Sequence, residues 1–248
     1  MTPPRSDVRS SSQTARATLL LREMIIDGHF RPNERIKEIP LATQLEVSRI
    51  PLRLALERLA HEGLLEIRPT RGFIVQQFST TDIYDAIELR GILEGAAARL
   101  AAQRLRDSRD AAALRDASQE MEALLRDRKL ALGAFTRYIE LNAKFHSALL
   151  DLSRSKILKR AIKQACSLPF ASPSAFLLKQ HVFEGSKDLF LIALDQHRGI
   201  IEAIENREGM RAELLAREHA RLARRNLDVA LENRELLKSV RGAKLIQL

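Results

Sequence analysis

The stretch that decides the fold runs from Ile36 to Val75 and reads IKEIPLATQLEVSRIPLRLALERLAHEGLLEIRPTRGFIV. Ser48 stands where an N-cap hydroxyl accepts a bond from a first-turn N–H, and Gly63 suits a left-handed helix end. The apolar residues between them recur at the spacing of one helix face: Leu52, Ala55, Leu56 and Leu59. We therefore predict a short helix, a tight turn and a second helix.

Two short strands are predicted to follow that helix. Residues 64–68 and 73–77 alternate between apolar and polar side chains on either side of a Pro-Thr-Arg-Gly turn at 69–72. A helix–turn–helix followed by such a hairpin is a winged helix. Arg71 stands at the tip of the predicted wing.

Arginines project from the predicted second helix beside its leucine face. Arg49 and Arg53 are four residues apart and therefore share one side of the helix. In the major groove of DNA a guanidinium binds guanine O6 and N7 or clamps a phosphate, and Arg71 could enter the minor groove. The candidate DNA-contacting residues are Ser48, Arg49, Ile50, Arg53, Thr70, Arg71 and Gly72.

The core of this stretch matches a known pattern. Residues 48–56 read SRIPLRLAL, close to the S-R-T-P-V-R-x-A-L that marks the winged-helix domain of the GntR family of bacterial transcription regulators. The chain resembles that family across some forty residues, although Ile50 replaces a threonine hydroxyl. The resemblance implies a bacterial, cytoplasmic, nucleoid-associated protein whose partner is double-stranded operator DNA.

Composition limits the class of protein. A chain of 248 residues with 45% apolar, 4% aromatic and no Trp residues is expected to be mostly helical, with one or two domains. The single cysteine, Cys166, excludes internal disulfides and favours a reducing cytoplasm, and we interpret it as a small buried residue. No apolar run is long enough to span a bilayer, so we expect no membrane partner.

The net charge supports an acidic partner only weakly. The formal charge is +9 and the sequence pI is about 10.1. Residues 1–79 carry 12 Lys+Arg against 9 Asp+Glu, which is +3 of that total. The local arrangement of arginines, rather than the overall charge, therefore favours DNA binding.

Helical periodicity covers most of the chain. The first helix is predicted for 14–27, after a frayed polar tail at 1–13, and Ser79 to Asp82 offers capping groups for a new helix. Later helices are predicted at 82–106, 108–128, 131–152, 155–166, 174–182, 187–206 and 209–238. Short turns make neighbouring helices antiparallel. We expect a mostly α protein, with a winged helix-turn-helix domain at 10–78 and an all-helical antiparallel bundle at 79–238.

Three histidines and an asparagine form a second candidate site. Asn142 and His146 are four residues apart on one predicted helix face, and His197 and His219 lie on later helices. Antiparallel helices could bring the imidazoles to one point, where three nitrogens and an amide oxygen suit zinc, nickel or manganese. The competing interpretation is that each histidine is buried and hydrogen-bonded without a metal.

Four segments of this region follow a second family pattern. They read ELRGILEGAAA at 88–98, NAKFH at 142–146, DQHRGIIEAI at 195–204 and EH at 218–219. The region resembles the FCD domain, the helical effector domain of the FadR-type subgroup of the GntR family. The resemblance implies that Asn142, His146, His197 and His219 hold a divalent metal, which then binds a small carboxylate effector. Asn142 replaces the commoner Asp, which removes one negative charge and weakens metal binding.

Arg90 has two interpretations. The resemblance implies that it pairs with the effector carboxylate, as the matching arginine does in some relatives. Its spacing from Glu94, four residues on, also allows a surface salt bridge.

We interpret the chain as a homodimeric, ligand-responsive transcription regulator, a repressor whose operator binding changes when a small carboxylate enters the helical domain. Helix–turn–helix proteins usually bind pseudo-palindromic sites as dimers. One alternative is a regulator that binds an acyl-coenzyme A without metal, as founding members of the FadR-type subgroup do. A metal-dependent enzyme is the other, but there is no H-E-x-x-H motif, phosphate-binding glycine loop or nucleophile elbow. We therefore predict no enzymatic activity.

Overall fold

The computed structural model describes residues 5–126, 132–168, 170–175 and 186–247. The chain divides into two compact units, the first made of residues 1–82, 167–169 and 241–248, and the second of residues 83–166 and 170–240. The first unit holds a helix–turn–helix and a two-stranded antiparallel sheet, and the second is helical. The predicted fold class, a winged helix followed by a helical bundle, is confirmed.

The described elements follow in chain order. They are α1 (Arg5–Ile26), α2 (Glu38–Gln44), α3 (Arg49–His61), β1 (Leu65–Arg68), β2 (Gly72–Val75), α4 (Thr80–Arg104), α5 (Ala112–Leu125), α6 (Leu132–Leu152), α7 (Lys156–Ala165), α8 (Ser186–Glu205), α9 (Gly209–Ala220), α10 (Leu222–Glu232) and α11 (Arg234–Ser239). Short 3-10 turns lie at Ser108–Ala111 and Ala243–Leu245. The helix predicted for 174–182 falls largely outside the described residues.

Helix α3 buries the face that its sequence predicts. Leu52, Ala55, Leu56 and Leu59 are fully buried. They pack against α1, whose Leu21 and Ile25 are also fully buried. Gly63 adopts φ +83°, so the predicted left-handed helix end is confirmed.

The predicted hydroxyl cap of α3 is wrong. Ser48 occupies the N-cap position with extended backbone angles, but its side chain accepts no hydrogen bond. An N-cap oxygen normally meets the N–H of the second or third helical residue. Pro51 is the third residue of α3 and has no N–H, so one of the two possible donors to the Ser48 hydroxyl is absent.

Two predicted helix boundaries also differ from the structure. Residues 5–13, expected as a frayed tail, continue α1, because no glycine or proline interrupts residues 5–26. The single helix predicted for 209–238 is divided into α9, α10 and α11. Asn233 starts the last of these, since its side chain accepts the N–H groups of Glu235 and Leu236.

The wing is extended by a third segment. Its two strands pair with Leu65 opposite Val75 and Arg68 opposite Gly72. An isolated bridge then joins Arg35 to Ile74, and Asn33 adopts φ +64°, a left-handed backbone that asparagine tolerates. This pairing fixes the backbone before α2 against β2, which thus lies between β1 and the added segment.

Residues 241–247 belong to the first unit although they come last in the chain. The N–H of Phe78 donates to Leu245 O at 2.8 Å, and the N–H of Gln247 donates to Phe78 O at 2.8 Å. Leu245 is fully buried, and Lys244 Nζ donates to Asp27 O at 3.1 Å. The chain end is thus an integral strand-like part of the winged-helix unit.

In the second unit, two glycines let α4 and α9 approach closely. A Cβ added to Gly91 would lie 2.9 Å from Ala220 Cβ, and one added to Gly95 would lie 3.0 Å from Glu213 O. Because Gly91 and Gly95 have no side chains, the backbone of α4 can lie close to α9. Arg90, next to Gly91, is buried at this contact.

None of the described helices is long and apolar enough to cross a membrane.

Candidate functional site

The predicted DNA-contacting residues lie on the surface of the first unit. Arg49 and Arg53 are exposed on the first two turns of α3, and Ile50 between them is 72% exposed. Thr70 and Arg71 are exposed at the turn of the wing, and Ser48 is exposed beside Arg49. Six of the seven predicted residues are thus exposed, and Gly72 is half-buried at the start of β2.

An open groove lies between α3 and the wing. Its charged lining residues are Arg35, Lys37, Glu38, Arg49 and Arg53, and Gly72 closes it on the wing side. Four cations face one carboxylate, so the groove is electropositive. The overall composition does not reveal this local concentration of positive charge.

Two of these cations, Arg35 and Lys37, were missed by the sequence interpretation. Both are exposed, and Ile36 between them is 3% exposed. This alternation is the period-two signal of a strand and was available in the sequence. The pairing of Arg35 with Ile74, which places these residues in the groove, was not available.

The ion pair on Arg53 is weak. Its Nε lies 3.4 Å from Glu57 Oε1, and both side chains are about half exposed or more. Exposed pairs of this kind contribute about 0–1 kcal/mol. The guanidinium can therefore exchange this partner for a phosphate or a base at little cost.

In the second unit, the three predicted histidines converge. His146 on α6, His197 on α8 and His219 on α9 are all buried, with a ring nitrogen of each within 4.8 Å of the others. The Nε2 atoms of His197 and His219 are 3.1 Å apart. Nitrogen ligands at about 2.0–2.1 Å from one ion stand about 3 Å apart, so this spacing fits a shared metal.

Neighbouring side chains orient two of the rings. His219 Nδ1 lies 3.1 Å from Gln196 Oε1, an oxygen that can only accept, so Nδ1 carries the proton and Nε2 keeps its lone pair. His197 is stacked on Phe145, with ring centroids 4.0 Å apart. The ring nitrogens that face each other are therefore held in place before any ligand arrives.

Burial keeps the His197 and His219 imidazoles neutral. It lowers the pKa of His197 well below its usual value, and the neighbouring histidines add to this. Burial, with His146 next, lowers the pKa of His219 to about 3. Neutral imidazole is the form that binds metals, so these two rings are suited to a first-row divalent ion such as zinc.

Asn142 lines the same cavity as His146 and His219. It is 3% exposed, and its Nδ2 donates to Ser174 Oγ at 3.2 Å and to Pro173 O at 3.4 Å. These bonds occupy the amide nitrogen and leave Oδ1 as the atom available to a ligand. The predicted fourth member is therefore present beside the cluster, with the chemistry of an amide rather than a carboxylate.

Arg90 pairs with Glu94 as one interpretation predicts, but the pair is buried, so the surface position expected for it is wrong. Arg90 is 2% exposed, its Nη2 donates to Ala220 O at 3.1 Å, and its Nε lies 3.7 Å from Glu94 Oε2. Among the described residues, its Nε and Nη1 have no hydrogen-bond partner. The close approach of α4 to α9 at Gly91 explains the burial, and the guanidinium keeps donors available to an anion.

The sequence interpretation named Glu94 only as a possible partner of Arg90 and did not predict that it contacts the histidine cluster. Its Oε1 lies 3.0 Å from His146 Nδ1, a close electrostatic contact. Burial alone would raise the pKa of this carboxyl, but His146 and Arg90 outweigh it and lower the pKa to about 2. A carboxylate behind a metal-binding imidazole orients the ring and raises its basicity.

The cavity beside the cluster is small and partly enclosed. It has about 460 Å³ of space when the open solvent at its mouth is included. Its lining combines polar and apolar residues: Arg90, Tyr138, Asn142, His146, His219 and Asn226 are polar, and Leu189, Phe190, Ala193, Leu222 and Ala223 are among the apolar ones.

Cys166 is half-buried rather than fully buried. Burial raises the pKa of its thiol to about 11, and Sγ donates to Ala171 O at 3.4 Å. A thiol in this state is a weak nucleophile. The interpretation of Cys166 as a packing residue agrees with this environment.

Comparison with known families gives two matches along the chain. Residues 13–75 match the model "Bacterial regulatory proteins, gntR family", and residues 85–222 match the model "FCD domain". Both known patterns that the sequence resembles are therefore found over the expected regions.

Curated relatives carry regulator names. The chain is 39% identical over 140 residues to the "Nta operon transcriptional regulator" of Aminobacter aminovorans, a match covering 56% of the chain and 63% of that relative. It is 30% identical over 199 residues to the "Uncharacterized HTH-type transcriptional regulator YdhC" of Bacillus subtilis, covering 79% and 83%. It is 27% identical to the "HTH-type transcriptional repressor RspR" of Escherichia coli K12 over 174 residues, covering 66% and 73%.

Solved structures share the fold. "E. coli McbR/YncC" superposes with a TM-score of 0.57 at 21% identity, covering 90% of this chain and 98% of that one. A Listeria monocytogenes protein described as Lar, which "controls the expression of the Listeria monocytogenes agr system", gives a TM-score of 0.58 at 21% identity, covering 87% and 97%. At this identity the likeness supports the fold alone.

Proposed function

Because the chain belongs to the GntR family of bacterial regulatory proteins and carries an FCD domain, we propose that it is a homodimeric repressor released from operator DNA by a small carboxylate. The family and the named relatives are transcription regulators, so the prediction that the chain is not an enzyme is confirmed. The effector, the metal, the dimer and the direction of regulation are the proposed parts. We place the protein in the bacterial cytoplasm, associated with the nucleoid.

The observation that carries the DNA-binding part is the electropositive groove. It combines Arg49 and Arg53 on α3 with Arg35 and Lys37 before α2, next to the turn of the wing. Ser48, Ile50, Thr70, Arg71 and Gly72 complete the proposed contact surface. We propose residues 10–78 as the DNA-binding domain, supported by the chain end that packs against it.

The observation that carries the effector part is the buried histidine cluster beside a cavity with a buried arginine. We propose that His146, His197, His219 and the Oδ1 of Asn142 hold zinc, nickel or manganese. A bound ion would supply a Lewis-acidic position for a carboxylate oxygen. Arg90 would add a charge-assisted hydrogen bond to the same acid through its unpartnered donors, which strengthens binding of a single anionic group.

Residues 79–238 are the proposed effector-binding and dimerisation domain. Exposed apolar side chains occur on the closely packed pair α4 and α9, where Leu89, Ile92, Met210 and Leu214 are 43–64% exposed. An apolar surface of this kind supports a subunit interface. Sedimentation equilibrium is expected to give twice the chain mass, and a Leu214→Glu variant is expected to shift toward the monomer.

The chain connects the proposed effector site to the winged-helix unit directly through α4. Helix α4 carries Arg90 and Glu94, and it begins at Thr80, two residues after Phe78 of the first unit. A ligand that shifts α4 therefore acts on the segment that leads into the winged helix. A coupling of about 1–3 kcal/mol is sufficient to change operator occupancy by 5- to 150-fold.

DNA selection followed by ligand titration tests the proposal. The full chain would be used to select duplexes from a random pool, and the selected duplex would be titrated by fluorescence anisotropy with and without zinc and a panel of small carboxylates. We expect a pseudo-palindromic site, with affinity that falls when a carboxylate and metal are both present. Failure to select any duplex sequence would contradict the proposed DNA-contact surface on α3 and the wing.

Native mass spectrometry separates the proposal from the metal-free alternative. A ligand co-purified with the mass of an acyl-coenzyme A and no metal would favour that alternative. A metal with a small acid would favour the proposed site.

A further inference from the structure

Tyr138 is a buried polar residue to which the proposed metal and the effector carboxylate give no role. It is fully buried, and its hydroxyl has no hydrogen-bond partner among the described residues. Its ring packs edge-on against Phe190 with centroids 4.7 Å apart, and it lines the same cavity as Asn142 and His146. A buried hydroxyl without a partner is rare and costly, so it calls for a ligand or another explanation.

The position of Tyr138 separates it from the cationic end of the cavity. Tyr138, Asn142 and His146 follow one another at four-residue spacing along one face of α6. A helix rises 1.5 Å per residue, so the Cα atoms of Tyr138 and His146 stand about 12 Å apart along the axis. Arg90 lies at the His146 end, because Glu94 contacts both residues.

The chemistry of the walls limits what can bridge these two ends. Leu189, Phe190 and Ala193 line the cavity from α8, which suits a hydrocarbon spacer. Among the described lining residues Arg90 is the one guanidinium, so a second carboxylate would be buried without a cation. A neutral oxygen is the group that a phenol can bind without that cost.

We infer that Tyr138 is a specificity-determining residue whose hydroxyl binds a neutral second oxygen of the effector, which is therefore a hydroxy or oxo monocarboxylic acid. This inference rests on the proposed function, since that function places the acid group at Arg90 and the histidines. Burial raises the pKa of the Tyr138 hydroxyl, so it stays a neutral phenol that both donates and accepts.

Isothermal titration calorimetry with matched acids tests this inference on the full chain in the presence of zinc. The pairs are hexanoate with 6-hydroxyhexanoate and butanoate with 4-hydroxybutanoate, with adipate as the dicarboxylate. We expect the wild type to bind the hydroxy acid of one pair about tenfold more tightly, the value of one neutral hydrogen bond. Tyr138→Phe is expected to abolish that preference and leave the affinity for the unsubstituted acid unchanged.

The chain offers a matched control in Tyr84, its other tyrosine. The Tyr84 hydroxyl donates to Asp228 and lies outside the cavity. Tyr84→Phe is expected to keep the preference for the hydroxy acid. The Tm of ligand-free Tyr138→Phe is expected to equal or exceed that of the wild type, because no hydrogen bond is lost.

Several outcomes would overturn the inference while leaving the proposed function intact. These are a wild type that binds both acids of every pair equally, tightest binding of adipate, or a Tyr138→Phe variant that weakens both acids to the same extent. A fall in the Tm of ligand-free Tyr138→Phe would assign the hydroxyl a structural role instead. Failure of every acid to bind the wild type, with and without zinc, would instead reject the proposed effector class.

Discussion

His197 and His219 face each other with their Nε2 atoms 3.1 Å apart. Since Gln196 holds the proton of His219 on Nδ1, the facing Nε2 of His219 is an acceptor, and His197 donates to it through Nε2–H. His197 Nδ1 then has no partner among the described residues. The pair therefore shares one proton at the place where a cation would sit, and metal binding would require that proton to move from Nε2 to Nδ1 of His197, since a neutral imidazole keeps one N–H.

Removal of His146 should abolish metal binding. His146→Ala deletes one of three converging nitrogens, and we expect metal content to fall from about one ion per chain to near zero. Inductively coupled plasma mass spectrometry after reconstitution with zinc, nickel or manganese measures this. His29→Ala, which changes an exposed histidine outside the cluster, is the control and should retain the ion. A wild type that holds no metal after reconstitution would reject the metal site.

Glu94→Gln should weaken metal binding without removing a ligand. The amide keeps the shape of Glu94 but loses the negative charge 3.0 Å from His146 Nδ1, and such changes typically cost 10- to 100-fold in metal affinity. Arg90 also loses its buried counter-ion, so the metal-free form should be less stable by about 3–5 kcal/mol. Zinc competition titrations and urea unfolding measure the two effects separately.

Glu122→Gln is the matched change on the surface. Glu122 forms an exposed ion pair with Arg198 at 2.6 Å, so its loss should change stability by no more than about 0.5 kcal/mol. Equal zinc affinity in the wild type and Glu94→Gln would show that Glu94 does not support the imidazole.

Two Gly→Ala changes should alter the free energy of unfolding in opposite directions. Gly133→Ala, in the first turn of α6, adds a Cβ with nothing within 4 Å and reduces the freedom of the unfolded chain, which stabilises by about 0.4–1 kcal/mol. Gly91→Ala has the same effect on the unfolded chain, but its Cβ would lie 2.9 Å from Ala220 Cβ, and overpacking costs about 1–3 kcal/mol. Urea unfolding should therefore show Gly133→Ala to be more stable than the wild type and Gly91→Ala to be less stable. Stabilisation by both would mean that α4 and α9 are not in close contact.

The chain end should stabilise the winged-helix unit. Leu245→Ala removes a fully buried side chain and is expected to cost about 2–5 kcal/mol. Hydrogen exchange of the Phe78 amide, which donates to Leu245 O, should become faster in the variant. Gln247→Ala truncates an exposed side chain and keeps the backbone bond to Phe78, so its exchange should match the wild type.

Local patterns in the sequence predicted the parts of the fold that local physics decides. The leucine face of α3 and the left-handed turn at Gly63 depend on spacing and backbone preference alone, and both were predicted. The convergence of the three histidines was left open by their spacing alone. The family resemblance supplied the grouping that the structure then placed within 4.8 Å.

Long-range contacts account for what the sequence did not predict. The bridge from Arg35 to Ile74, the return of Leu245 to Phe78 and the position of Glu94 behind His146 each join residues 39–167 positions apart. Periodicity within one helix carries no information about such partners. The burial of Arg90 did have a local signal, since Gly91 and Gly95 on the adjoining face mark a close helix contact.

Operator affinity of two arginine variants tests the central claim most directly. Fluorescence anisotropy on the selected duplex should show that Arg49→Ala and Arg53→Ala each weaken binding about 5- to 150-fold, because each loses a base or phosphate contact worth roughly 1–3 kcal/mol. Arg58→Ala, an exposed arginine about half a turn from Arg49 around α3 and outside the groove, should bind like the wild type. Wild-type affinity in both Arg49→Ala and Arg53→Ala, with circular dichroism showing all variants folded, would contradict the account.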